Sequence, residues 1–294
     1  MAVKPTLLAV CLNPTLQRTV VLPRLRLGAV NRAASQRTDA SGKGINVARV
    51  FVQLGGRGIQ LTQAGGARRT LFLDLAVADG VEVAWEESGA EIRTCTTLLC
   101  QETHVATEIV EEADPVAPAT GGLLLARFRQ LLPAVDMVSI SGSKAAGLPP
   151  GILGGMAKLA AAAGKPLLLD IRNADLRQGL PCPGAWLKIN RDELRETFGQ
   201  EDDEPLLRRL FAEHGLKSVI TDGPRDSFGF DGQRFFRQPV QPVVAVNPIG
   251  CGDSFLAGFA FGLATGQPLG QGLDLALDCA RRNALCLRPG TITE

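Results

Sequence analysis

Short apolar runs punctuate the chain at residues 7–12, 59–62, 137–140, 167–170, 186–189 and 218–221, each of strand length and mostly aliphatic. Between them, residues 119–132, 151–163, 204–214 and 254–263 carry a helical spacing of apolar positions. Strands and helices alternating in this way predict an α/β protein with a mainly parallel sheet covered by helices on both faces. Such sheets bind ligands beyond the carboxyl ends of their strands, so polar residues just after each strand are where chemistry is expected. Two stretches break the rhythm. Residues 17–25 and 94–111 alternate β-branched with polar side chains, as half-exposed strands do, and predict a small second sheet covering a site. The Pro-, Ala- and Gly-rich stretch 114–122 reads as a loop leaving that sheet. With no internal repeat or low-complexity linker, one domain spanning 1–294 is expected.

The run Asn247, Pro248, Ile249, Gly250, Cys251, Gly252, Asp253 opens directly into an apolar stretch. A glycine-rich turn at a helix start offers several free backbone N–H groups and the positive end of the helix dipole to one point, which suits a phosphoryl group. Gly250 and Gly252 let the backbone approach an anion closely. An aspartate beside a phosphate makes sense as the base that accepts a hydroxyl proton at the start of attack. A helix cap made by Asp253 is the competing structural reading. Cys251, at a helix N-terminus, is expected to carry a lowered thiol pKa. No Gly-Lys-Ser/Thr follows, so this is not a P-loop.

A second glycine-rich helix start runs from Ser41 through Gly42, Lys43, Gly44 and Asn46 to Arg49, and its apolar helix stops at Gly55 and Gly56. Lys43 can meet an anion as a point charge, and the Asn46 amide can both donate to and accept from a hydroxyl. Taken alone, a glycine-rich helix start with one lysine is more often structural than functional.

Together, in this order and about 200 residues apart, the two runs resemble the two signatures of the ribokinase-like carbohydrate kinases, specifically the phosphofructokinase-B branch. Within it the chain most resembles the 1-phosphofructokinase and tagatose-6-phosphate kinase group. The resemblance implies a three-layer α/β/α domain with a small β-sheet lid formed by residues 13–38 and 91–112. It also implies ATP as phosphoryl donor, Mg²⁺ as cofactor and a sugar phosphate as acceptor. Asp253 would be the base, with Gly250, Cys251 and Gly252 forming the anion hole. Gly42, Lys43, Asn46, Arg93 and Ser141 would hold the acceptor, Lys43 and Arg93 by its phosphate. Lys188, Asn190, Thr221, Gly223 and Asn283 would border the nucleotide, and Asn190 with Glu193 would order water around Mg²⁺. Asn190 and Glu193 also read as a helix capping box. A homodimer paired through lid strands is a further implication.

The chain departs from the family pattern at four places. Gln17 stands where an aspartate usually grips sugar hydroxyls, and Lys144 replaces a leucine at a strand end near the acceptor. Asp222 and Asp226 fall near the expected nucleotide phosphates, which they would repel unless turned outward or neutralised. Gln17 and Lys144 either reshape acceptor choice or, equally, hydrogen-bond the same hydroxyls and point to solvent respectively.

Composition changes this picture little. A formal net charge of +1 gives no global field for nucleic acid or a membrane surface, so an anionic ligand must be held by local charge. Seven cysteines without a C-x-x-C pair argue against a disulfide framework or a zinc site and fit a reducing cytoplasm. The apolar run at 7–12 is too short for a signal-peptide core or a membrane span. Two rivals remain open: a kinase for an unphosphorylated sugar or nucleoside, disfavoured by Lys43, and a non-catalytic sugar-phosphate sensor, disfavoured by an intact Asp253.

Overall fold

The computed structural model describes residues 4–293. In chain order its strands are β1 (Thr6–Val10), β2 (Thr15–Leu22), β3 (Ser35–Ser41), β4 (Arg57–Ala64), β5 (Glu82–Glu87), β6 (Arg93–Cys100) and β7 (Val105–Val110). They continue with β8 (Met137–Ser141), β9 (Leu167–Asp170), β10 (Trp186–Asn190), β11 (Lys217–Asp222), β12 (Arg225–Phe230) and β13 (Phe235–Gln238). The helices are α1 (Lys43–Gln53), α2 (Arg69–Ala78), α3 (Thr120–Leu131), α4 (Ile152–Ala162) and α5 (Asn173–Gly179). They end with α6 (Arg191–Phe198), α7 (Asp203–His214), α8 (Cys251–Ala264) and α9 (Leu269–Leu285).

Nine strands form one sheet in the order β13-β12-β11-β10-β9-β8-β1-β4-β5. Every neighbouring pair from β11 to β5 is parallel, and β12 and β13 are added antiparallel at one edge. The strands are apolar on both faces because helices cover both. On one face Leu8, Val10 and Leu169 pack with Phe128 of α3, Met156 of α4 and Leu210 of α7. On the other, Leu7, Ala9 and Leu168 pack with Phe51 of α1, Phe72 of α2 and Phe259 of α8. The three layers are those expected from the alternation of elements.

Helix α8 is apolar nearly all round because it is buried between the sheet and α9. Phe255 and Phe259 are 1% and 0% exposed, and burying each contributes about 1.5–3 kcal/mol. Gly258 and Gly262 let α9 approach so closely that a Cβ at either would lie 2.8 or 2.7 Å from the Cα of Ala276 or Gly272. On its other side α8 meets α1, with the Phe51 and Phe261 rings at 5.4 Å in an edge-on contact. This packing fixes the N-termini of α1 and α8 side by side at the carboxyl end of the sheet.

The small sheet has the order β3-β2-β6-β7, with β2 and β6 parallel and the outer pairs antiparallel. The strand expected over 17–25 starts at Thr15 and stops before Pro23, which cannot donate to a ladder. The stretch 94–111 is a hairpin rather than one strand, turning through His104 in the left-handed region at φ 55°. Strand β3 was not foreseen. Its sequence has almost no apolar signal, and it is held by ladder bonds to β2 that pair Thr15 with Ser41 and Val21 with Ser35.

Candidate active site

Beyond the carboxyl ends of β1, β8 and β9 lies a cleft of about 390 Å³. Gly42 and Lys43 at the start of α1, Arg93 at the start of β6, and residues 170–175 after β9 wall it. Asp170 closes β9 and is 2% exposed. Lys43 Nζ donates to its Oδ1 at 2.9 Å and Lys188 Nζ donates to its Oδ2 at 3.4 Å. Burial alone would raise the Asp170 pKa; Lys188 and Lys43 outweigh it and hold the carboxyl below its ordinary value. Lys43 in turn is held charged. Burial would weaken it, but Asp170, Asp253 and Glu193 together push its pKa up.

Asp253 is 7% exposed at the third position of α8. The N-cap of α8 is Gly250, and no side chain caps the helix, so the capping reading of Asp253 does not hold. Its Oδ2 instead accepts from Asn46 Nδ2 at 2.8 Å. Burial pushes its pKa up to about 6; Lys43, Asn46 and Lys188 oppose the rise and Asp170 adds to it. A carboxyl poised there is ionised at neutral pH yet basic enough to take a proton. The first N–H groups of α8 have no intrahelical acceptor. A Cβ on Gly252 would lie 2.7 Å from Lys188 Nζ, so an ammonium group sits directly over this turn. Gly250 has φ 84°, and a Cβ there would lie 2.3 Å from Gly290 N, so backbone conformation and packing both require glycine at this position.

Several expected roles need correction. Cys251 has its pKa raised, not lowered, because burial outweighs the hydrogen bond from Asn283 Nδ2 to Sγ at 3.3 Å. Asn283 is fully buried, with both ends of its amide bonded within the protein. Its Oδ1 accepts from Gly290 N at 2.7 Å and Ser254 Oγ at 3.1 Å, and its Nδ2 also donates to Ile249 O at 2.9 Å. It ties the anion-hole turn to the C-terminal segment. Gln17 lies on the same face of the small sheet as Arg93 but two residues farther along, buried, donating from Nε2 to Thr97 Oγ1 at 2.8 Å. Ser141 is fully buried beside Asp170, and Gly142 and Ser143 line the cleft in its place. Lys144 is half-buried, and its Nζ donates at 2.9 Å to Asp175, which lines the cleft. Asn46 is 3% exposed and bonded to Asp253, Ser41 and Arg49.

Arg93 does line the cleft. Its Nη1 donates only to the Glu111 carbonyl at 3.1 Å, and among the described residues no carboxylate forms an ion pair with it. Asn190 and Glu193 form the expected capping box of α6, while Glu193 Oε1 faces the cleft 3.8 Å from Lys43 Nζ. Among the described residues no three His, Cys, Asp or Glu side chains converge as a metal cage. Thr221 and Gly223 lie at the end of β11, two strands beyond β9. Asp222 is no bare charge there. The bond from Arg225 and the nearby Arg191 hold its pKa down, with Arg191 Nη1 at 2.8 Å. Asp226 faces Arg237 at 3.8 Å. Sequence reading missed Asp170 as a site residue, although a lone aspartate ending an apolar run marks the carboxyl end of a strand.

A family model described as the pfkB family carbohydrate kinase matches residues 13–293. Among solved structures, phosphofructokinase-2 from Escherichia coli in complex with substrates and products has a TM-score of 0.85 at 20% identity, covering 96% of this chain and 94% of that one. The tetrameric inhibited form of the same enzyme scores 0.83 at 20% identity over 96% and 94%. A Thermotoga maritima protein described as a possible 1-phosphofructokinase scores 0.84 at 20% identity over 94% and 92%. These likenesses show the fold to be ribokinase-like. The family model spans nearly the whole length and covers both glycine-rich helix starts, so the chain belongs to the pfkB family of carbohydrate kinases, ATP-dependent enzymes that phosphorylate sugars.

Proposed function

We propose that this kinase transfers the γ-phosphoryl group of ATP to a hydroxyl of a phosphorylated ketohexose, of the fructose 1-phosphate or tagatose 6-phosphate type. Asp253 accepts the hydroxyl proton as the oxygen attacks phosphorus. The backbone N–H groups at the start of α8 and the Lys188 ammonium above Gly252 stabilise charge on the transferring group. Lys43 is shared between Asp170 and the cleft and follows the acceptor or the transferring phosphoryl. Glu193 and Asn190 would hold Mg²⁺ through water, and the ion would supply neutralisation of phosphate charge. The observation that carries an anionic acceptor is Arg93, a cleft-lining cation without a carboxylate partner among the described residues. Closure of the small sheet over the cleft excludes water and protects ATP from hydrolysis. Val105, Ile109 and Val110 of β7 are each more than half exposed, which supports a second copy docking on that sheet.

One observation favours a second reading, a neutral sugar acceptor: Lys43 and Lys144 are already paired with Asp170 and Asp175. ADP release with Mg-ATP across matched sugars and sugar phosphates separates the two. The proposal expects kcat/KM at least tenfold higher for a phosphorylated ketohexose than for its neutral parent; the reverse order assigns the neutral acceptor. Asp253→Asn should lower kcat by on the order of 10²–10⁴ with either acceptor.

A further inference from the structure

Arg49 follows Asn46 by one helical turn on α1 and is 1% exposed. Its Nη1 donates to Asn46 Oδ1 at 3.0 Å and to the carbonyl of Gly290 at 3.1 Å. Its Nη2 donates to the Ala40 carbonyl, and its Nε to Asp79 Oδ2 at 2.8 Å. Gly290 presses on Asn46 from the other side, since a Cβ there would lie 2.4 Å from Asn46 Cβ. A carboxamide can turn either end toward a neighbour. Guanidinium is a donor only, so it must face the amide oxygen, and Nδ2 is thereby turned toward Asp253.

We propose that Arg49 is a positioning residue for phosphoryl transfer, holding the Asn46 amide donor-first against Asp253 Oδ2. The proposal rests on the reading of Asp253 as the base. A donor at Oδ2 favours the ionised carboxylate and aims its other oxygen, Oδ1, at the acceptor hydroxyl. If Asn46 turned over, its Oδ1 would face the carboxyl and favour the protonated, inactive form. The other groups facing Asp253 are Lys43 from α1, Asp170 from β9, Lys188 from β10, Cys11 after β1, and Cys251 from its own helix. Around Arg49 stand Asp79, Asp39 and Arg288. Asp79 also pairs with Arg288, so replacing Arg49 does not leave that carboxylate alone.

The test is the pH dependence of kcat/KM for wild type, Arg49→Met, Arg49→Lys, Asn46→Asp and Asp253→Asn, each first checked by thermal melting. The acid limb of the wild type should fall near pH 6. Loss of the oriented donor in Arg49→Met should move it up by about one unit, so the rate falls roughly fivefold more at pH 6 than at pH 8.5, whereas Arg49→Lys keeps a donor for Asn46 Oδ1 and should bring the limb back toward wild type. Asn46→Asp keeps an acceptor for Arg49 but removes the donor, and should move the limb at least as far. A folded Arg49→Met whose rate falls by the same factor at both pH values would make Arg49 merely structural and overturn the proposal. If Arg49→Met does not fold, an unmoved limb in Asn46→Asp overturns it instead. A fully active Asp253→Asn would sink the base assignment itself, whereas an inactive one beside unshifted limbs sinks the positioning role alone.

Discussion

Replacing Asp170 by asparagine probes the charge arrangement on which the site depends. The carboxylate is 2% exposed in its side chain, and so is largely shielded from water, as is Lys188 at 6%; Lys43 is 37% exposed. Removing one member of a fully buried pair costs about 3–5 kcal/mol, because the remaining charge stays desolvated. Only Lys188 qualifies as fully buried, and solvent screens the share of Lys43, so the lower end, about 3 kcal/mol, applies. An unfolding entropy of about 2.1 cal/mol/K per residue gives roughly 0.6 kcal/mol/K for a chain of this length, hence a fall in Tm of about 5 °C at pH 7.5. The sign with pH follows from the depressed pKa of Asp170. Its stabilisation is complete above the unfolded carboxyl value near ~3.9 and fades as pH falls toward the folded one, so the two melting curves converge in acid. Activity should shift in the opposite sense. Asp170 helps to raise the Asp253 pKa, so its removal should carry the acid limb below pH 6. Inorganic phosphate or Mg-ATP, seated between the freed lysines, should recover part of the lost Tm. Asp253→Asn supplies the contrast. A carboxyl whose folded pKa is raised stabilises only below its unfolded value and loses that as pH rises through about 6, so its removal should increase Tm at pH 8. Thermal melts from about pH 2 to about pH 8 decide the matter. An Asp170→Asn protein melting within 1 °C of wild type at pH 7.5 would show that Asp170 does not hold the two lysines.

Three further outcomes follow from the corrected roles. Cys251→Ala should keep at least half of wild-type kcat, and iodoacetamide at pH 7.5 should label Cys251 in the native protein no faster than free cysteine, read by mass spectrometry. Asn283→Ala strands several buried donors and acceptors and should cost on the order of 3 kcal/mol in urea unfolding, whereas an adenine contact would show mainly as a raised KM for ATP. Arg93→Ala should raise KM for a sugar phosphate at least tenfold while leaving KM for ATP within twofold, as steady-state kinetics would show.

The fold was readable where burial imposes a pattern. Strands such as β8 and β9 are covered on both faces and announce themselves as apolar runs, and α8 does so as an apolar helix behind a glycine turn. Strand β3 carries no such signature, because its ladder bonds come from the backbone and its side chains are almost all polar. The 94–111 stretch could not be divided from its alternation alone, since a turn through His104 needs no glycine.

The same division runs through the site. Glycines at helix starts are local features, and they led directly to the neighbourhoods of Asp253 and Lys43. What those residues do is set by partners far away in sequence: Lys43 meets Asp170 across 127 positions, and Asn46 meets Asp253 across 207. No local spacing encodes such pairs, so Asp170 went unnoticed, and the bonds that Asn46 and Asn283 make within the protein could not be read from the sequence. Asp222 shows the converse. Read alone it is a charge opposed to a triphosphate, yet Arg191 and Arg225 are placed to cancel it. A polar residue in this chain can therefore be assigned to a ligand only after its capacity for bonds within the protein has been counted. By that count Arg93, with its guanidinium in the cleft and only a carbonyl to satisfy it, has the strongest claim to the acceptor.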